Sequence, residues 1–230
     1  MENLNQYQQR TGFMWDSLPH EGGFTTSPGL RAKADPAGQL LPFYGDTVIF
    51  TLPREMIRWL TSMQDDLYAA CGGYLAQKLD PDTFHITLHD LQNSPAGWPS
   101  GMPGNQKRAQ TLLQAARETL PPEVIVRSNC VFSMAGTSVV MGFEPAQDSD
   151  CRVLMSLYRA FQQIRPLHYP LTLHATLAYY RPGGFDSVEC ALLRDALQQL
   201  GRERREWRLR LSELNYATFD SMNHYRVIGE

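Results

Sequence analysis

Apolar positions along the chain recur with two alternating periods, and the alternation becomes regular near residue 46. Thr47–Leu52 is an apolar, β-rich run that predicts a strand. After Pro53, Met56, Leu60, Met63 and Leu67 recur at i, i+4, i+7 and i+11, the mark of a helix with one apolar face, and Gly72-Gly73 ends it. Thr83–Asp90 returns to the strand period. A Pro/Gly-rich loop, Asn93 to Gly104, then leads to a predicted helix over Asn105–Leu120, with Leu112, Leu113 and Ala116 inward and Pro121-Pro122 as its stop. Val124–Val126 and Cys130–Met134 read as strands.

The second half repeats this order. Ser138–Phe143 is a strand after the Ala135-Gly136 turn. A helix from Ser149 to Ile164 gathers Leu154, Leu157, Phe161 and Ile164 on one face and breaks at Pro166. A strand through His174 follows. Asp186 or Ser187 caps a helix running to Leu200, with Gly201 just past its end. Trp207–Leu211, Leu214–Phe219 and Tyr225–Ile228 close the chain as strands. Residues 1–45 are broken by glycine and proline, with room for one short helix over Asn5–Trp15.

Each half therefore reads β-α-β-α-β. Val48 to His85 is 37 positions (85 − 48) and Val139 to His174 is 35 (174 − 139), a spacing expected of a duplicated unit. The expected fold is α+β: two pseudo-symmetric lobes with mainly antiparallel sheets around a central cleft. The expected organisation is a single bilobal domain over 1–230, with an N-terminal arm (1–45), a first lobe (46–135) and a second lobe (136–230).

The duplicated strand carries the chemistry. His85-Ile86-Thr87-Leu88 and His174-Ala175-Thr176-Leu177 share one pattern, and in a strand residues i and i+2 project to one side. With 6 His in the chain, two such hits followed by Leu would arise by chance in well under about 1% of shuffled sequences. Imidazole titrates near neutrality, so a facing pair can hold opposite protonation states, one taking a proton from a nucleophile and the other giving one to a leaving oxygen. Thr87 and Thr176, one pleat away, are placed to donate to non-bridging phosphate oxygens. In-line displacement at phosphorus uses both sets, and this scheme needs no metal or cofactor.

The doubled pattern resembles the signature of the 2H phosphoesterase superfamily, which includes 2′-5′ RNA ligase-like proteins and cyclic nucleotide phosphodiesterases. Its motif is His, hydrophobic, Ser or Thr, hydrophobic, occurring twice, and both copies match at every position. The likeness spans roughly residues 46–219, and the lead-in Leu41-Pro42-Phe43-Tyr44-Gly45-Asp46-Thr47-Val48 is similar to a microbial branch of that superfamily. The resemblance implies His85 and His174 as an acid–base pair, Thr87 and Thr176 as phosphate contacts, and a cleft between lobes. The N-terminal arm and the Asn93–Gly104 loop depart from the shorter members, so substrate choice does not carry over.

Around the motif, a continuous strand would place His89 beside His85 and Thr87, and Tyr180 beside His174 and Thr176. There Tyr180 would stack a base, and Arg181 would hold phosphate. His20, His168 and His224 have no partner pattern and read as structural. A metal site from His85, His89 and His174 lacks an accompanying acidic or Cys ligand pattern. The four scattered cysteines suit small buried side chains in a reducing compartment.

No apolar run reaches the ~20 residues that span a bilayer, and the N-terminus lacks the pattern of a secretory signal. A cytoplasmic monomer is expected. The net charge of −3 argues against a duplex-binding groove, and the basic run Arg202–Arg210 reads as a solvated helix end entering an edge strand. The expected substrate is a nucleotide or RNA-end phosphodiester, such as a 2′,3′-cyclic phosphate, hydrolysed without metal. The alternatives are ATP-independent 2′-5′ ligation and a non-catalytic reader of phosphate or RNA ends.

Overall fold

The computed structural model describes residues 1–229, with Trp15 described in its backbone only. In chain order the elements are α1 (Leu4–Gly12), β1 (Phe24–Thr25), β2 (Pro42–Thr51), α2 (Arg54–Cys71), β3 (His85–Ser94), α3 (Met102–Thr119), β4 (Glu123–Met134), β5 (Ser138–Pro145), α4 (Asp148–Phe161), β6 (His174–Tyr179), β7 (Gly184–Phe185), α5 (Ser187–Leu200), β8 (Glu206–Arg210), β9 (Leu214–Ser221) and β10 (His224–Val227). The β-α-β-α-β order occurs twice, in an α+β fold whose sheets are antiparallel throughout.

Two four-stranded sheets form the body, in the orders β10-β9-β2-β3 and β6-β5-β4-β8. They correspond strand for strand: β3 to β6, β2 to β5, β9 to β4, and β10 to β8. Counted from the motif strand, the third strand of each sheet, β9 in one and β4 in the other, comes from the other half of the chain. A division at 135/136 thus separates the two β-α-β-α-β runs but not the two sheets, and this exchange ties the lobes together. The motif strands β3 and β6 are the edge strands of their sheets and lie against each other across the centre.

The helices cover the sheets with the faces their periodicity predicts. Met56, Leu60, Met63 and Leu67 of α2 are buried, as are Leu154, Leu157 and Phe161 of α4. α2 packs on α5 and β6, while α4 packs on α3 and β3. Two boundaries differ from expectation. α4 ends at Phe161, leaving Ile164 in the following turn, and α3 begins at Met102, where Pro103 occupies the first turn in which its missing N–H costs nothing. The predicted strands at 124–126 and 130–134 are one strand, β4, with a register shift between Ser128 and Val131. At α5, Asp186 accepts from the N–H groups of Val188 and Glu189 at 2.9 Å, and Glu189 returns a bond to the Asp186 N–H, a capping box.

The N-terminal arm is built into the body rather than draped over it. Asn3 caps α1 through a capping box with Gln6. β1 pairs with β7, and Leu30 and Ala34 are fully buried. Tyr7 is also fully buried. Its hydroxyl donates to the Phe143 carbonyl of β5 (3.0 Å) and accepts the Leu173 N–H just before β6 (2.9 Å). Arg10 donates to the Leu171 carbonyl (2.7 Å) and to Thr172 Oγ1 (3.2 Å). α1 thus braces the three residues that lead into His174.

Replacing Tyr7 by Phe leaves a buried N–H and a buried carbonyl short of a partner. The expected loss is about 1–3 kcal/mol of unfolding free energy, read as a lower urea midpoint at unchanged slope. An unchanged midpoint would mean that the arm is not anchored here.

Candidate active site

Each motif histidine is the first residue of its strand, and each is oriented by the same local contact. His85 Nδ1 lies 2.7 Å from the Thr83 carbonyl oxygen, and His174 Nδ1 lies 2.7 Å from the Thr172 carbonyl oxygen. A carbonyl can only accept, so each Nδ1 carries the proton and each Nε2 presents a lone pair. Neither Nε2 has a protein partner among the described residues. The supporting turns differ. Thr83 belongs to a short 3₁₀ turn capped by Asp80, whereas Thr172 is held by α1 of the arm.

His85, Thr87, His174 and Thr176 line one cavity of about 890 Å³ between the sheets. Burial pushes the His85 imidazole down to about 4, with the neighbouring His174 adding to the effect while the Thr83 carbonyl and Asp90 oppose it. His174 is lowered by burial too, with Lys33 contributing and the Thr172 carbonyl and Asp90 opposing. Both shifts favour the neutral imidazole at neutral pH. Tyr225 stacks at a tilt on His85 with ring centroids 4.4 Å apart, and its own phenol is raised by burial.

Directly after each His-x-Thr, the strand bulges. In β3, Val48 pairs with His89 and Ile49 with Thr87, so Leu88 is an extra residue; in β6, Val139 pairs with Ala178 and Val140 with Thr176, so Leu177 is extra. An inserted residue exchanges the faces of everything that follows it. This corrects the expectation of continuous strands. His89 leaves the row of His85 and Thr87 and packs on Tyr158 and Phe161 of α4, with ring centroids at 5.1 and 6.1 Å. It borders the cavity from that side, and burial lowers its pKa. Tyr180 is turned wholly inside, against Phe24 and Phe185 at 5.4 and 5.6 Å. Arg181 is directed to the Gly73 and Pro36 carbonyls (3.2 and 3.4 Å), away from the cavity.

The same bulges bring in two residues that the sequence pattern did not single out. Asp90 and Tyr179 occupy equivalent places after Leu88 and Leu177, and both line the cavity. Asp90 accepts a hydrogen bond from Tyr169 at 2.9 Å. The signal that could have located them is the repeated Leu after Thr, but a bulge is visible only once the partner strand is known. Lys33, which is supplied by the arm, is a third. His20 pairs with Asp16, His224 bonds Asp220 at 2.8 Å, and His168 is exposed; none of the three histidines lines the cavity. Among the described residues, no three His, Cys, Asp or Glu side chains converge as a metal-ion site, and no helix is long and apolar enough to cross a membrane.

No protein-family model matches the chain, and no curated protein matches its sequence. Solved structures do match in fold. A conserved protein of unknown function, ATU0111 from Agrobacterium tumefaciens, superposes with a TM-score of 0.59 at 17% identity, covering 89% of this chain and 93% of its own. TT0787 of Thermus thermophilus superposes with a TM-score of 0.52 at 14% identity, covering 80% and 94%. E. coli LigT in its apo form is a looser match, at 0.48, 13% identity, 81% and 95%. The first two likenesses establish a shared two-sheet α+β architecture over most of both chains. At this identity they speak to fold alone.

The lowered imidazoles make stability depend on pH. The unfolded chain takes up protons near pH 6.5 while the folded cleft resists them. Stability is therefore complete above pH 6.5 and is lost as pH falls toward 4. The double variant H85Q/H174Q should lose less stability than wild type between pH 6.5 and 4 in parallel urea melts. Equal slopes would mean that neither imidazole is held neutral by the fold.

Proposed function

We propose that this protein is a metal-independent phosphodiesterase that acts on 2′,3′-cyclic phosphates or related nucleotide and RNA-end phosphodiesters by two-histidine acid–base catalysis. The observation that carries this reading is the matched pair of imidazoles. Each is held at Nδ1 by a carbonyl two residues back, and each has a Thr hydroxyl one pleat on at the same cavity. The sequence resemblance to the 2H superfamily, carried by the same residues, supports it.

In this scheme water attacks phosphorus in line with the leaving ribose oxygen. One Nε2 removes the water proton as the new P–O bond forms. The other imidazole, protonated at Nε2, delivers its proton to the ribose oxygen as the old P–O bond breaks. The products are a phosphate monoester and a free hydroxyl, and the cleft is left with one proton shared between its imidazoles, as before. Thr87 and Thr176 donate to the non-bridging oxygens, where charge accumulates. With a ribose hydroxyl in place of water, the same groups run the reverse joining reaction. Two imidazoles that burial favours as neutral fit this cycle, because a phosphate anion beside them raises their pKa and draws from solvent the single proton that catalysis uses.

The test is turnover, with EDTA present, of the four nucleoside 2′,3′-cyclic monophosphates and of short RNAs ending in cyclic phosphate. His85→Ala and His174→Ala should each lower turnover by about 10²–10⁴-fold while ligand binding survives. Binding without turnover in wild type would identify a reader of phosphate ends instead.

The pH profile of kcat/KM should be bell-shaped, because one imidazole must be neutral and the other charged. Both are lowered in the free protein, so its maximum should fall below pH 6.5. A flat profile from pH 5 to 9 would contradict the pairing.

A further inference from the structure

Lys33 is the one lysine or arginine on the cavity wall among the described residues. It lies outside the motif strands, in the arm, and it is rigidly presented. Its N–H donates to the Leu30 carbonyl (2.8 Å), and its carbonyl accepts from the Leu41 N–H (2.9 Å). Its neighbour Ala34 is fully buried and bridges to Leu40. The ammonium sits over the rings of Phe43 and Tyr179, at 5.3 and 5.4 Å from their centroids. Tyr179 is the residue that the β6 bulge turns onto the face of His174 and Thr176.

No carboxylate pairs with Lys33 among the described residues. The two that share the cavity wall are engaged elsewhere, Asp90 by the Tyr169 hydroxyl at 2.9 Å and Asp16 by His20. The cleft thus holds one lysine ammonium, without a carboxylate partner among the described residues, on its His174 side. A phosphate entering beside the Thr hydroxyls would otherwise find positive charge only once an imidazole takes up a proton, with the Asp90 carboxylate nearby. We propose that Lys33 binds the anionic oxygens of the phosphate group in the cleft, making the N-terminal arm part of the substrate site. This rests on the phosphodiester reading above. It assigns to an arm residue a charge compensation beyond that of a protonated motif imidazole.

A cation–π clamp that merely pins the arm would leave anion affinity unmoved once the fold is intact, so binding separates the two roles. The probes are inorganic phosphate and adenosine 2′-monophosphate, with uncharged adenosine as control, measured by titration calorimetry at pH 7. Lys33→Met keeps the apolar stem and removes the charge, and it should weaken both anions about ten- to hundredfold. Lys33→Arg should recover most of that loss. Adenosine affinity and the melting temperature should stay at wild-type values. The salt dependence of anion binding should be shallower in Lys33→Met. Lys33→Gln serves as the neutral variant if Lys33→Met melts early.

Wild-type anion affinity in a folded neutral variant would overturn the Lys33 assignment alone, leaving the phosphodiesterase reading standing. Equal loss of adenosine and anion affinity would show a structural clamp and would also overturn the assignment. Wild-type protein that binds neither anion and turns over no member of the cyclic-phosphate panel would overturn the phosphodiesterase reading, and this inference with it.

Discussion

Two hydrogen bonds of 2.7 Å, from His85 to the Thr83 carbonyl and from His174 to the Thr172 carbonyl, set what the cleft can do. Each consumes the Nδ1 proton on the backbone, fixes the ring, and leaves Nε2 as the titrating atom. The carbonyls must themselves be held still, and the structure does this twice by different means. On the first side a capped 3₁₀ turn suffices. On the second, α1 reaches in with Tyr7 and Arg10 to hold Leu171 through Leu173. A near-symmetric pair of imidazoles thus rests on asymmetric supports, and one of them lies outside the duplicated unit.

The exchange of third strands between the sheets explains why the pair stays in register. β9, from the end of the chain, lies beside β2, and β4, from the first half, lies beside β5. Neither half can move away from the other without breaking a full ladder of strand bonds. The two histidines sit on edge strands, yet the sheets that carry them are interlocked. Edge position opens the groups to a ligand; interlocking ties the two edge strands into one body. Precision of this kind is what acid–base catalysis at one phosphorus atom demands.

Much of the architecture was readable in the chain because its signals are local. The Met56–Leu67 face, the Asp186 cap and the repeated His-x-Thr each depend on residues within a few positions of one another. Three things were not local. The bulges at Leu88 and Leu177 exist only relative to β2 and β5, so strict alternation assigned His89 and Tyr180 to the wrong face and passed over Asp90 and Tyr179. The pairing of β9 with β2 joins segments about 170 residues apart, a separation that no periodicity reports. The arm reads as a glycine- and proline-broken loop, because its order comes from Tyr7, Leu30 and Ala34 docking into a core made by others.

The central claim is that the two imidazoles work as a unit around one proton and one phosphate. The most direct measurement is ¹⁵N NMR of the histidine side chains, assigned with single His→Gln variants, in the empty protein and with adenosine 2′-monophosphate bound at pH 7. The account predicts that both rings are neutral, with the proton on Nδ1, in the empty cleft. It predicts that ligand binding then brings one proton onto an Nε2 of the pair, with both Nδ1 protons retained. Rings that titrate near pH 6.5 independently of each other and of the ligand would contradict it.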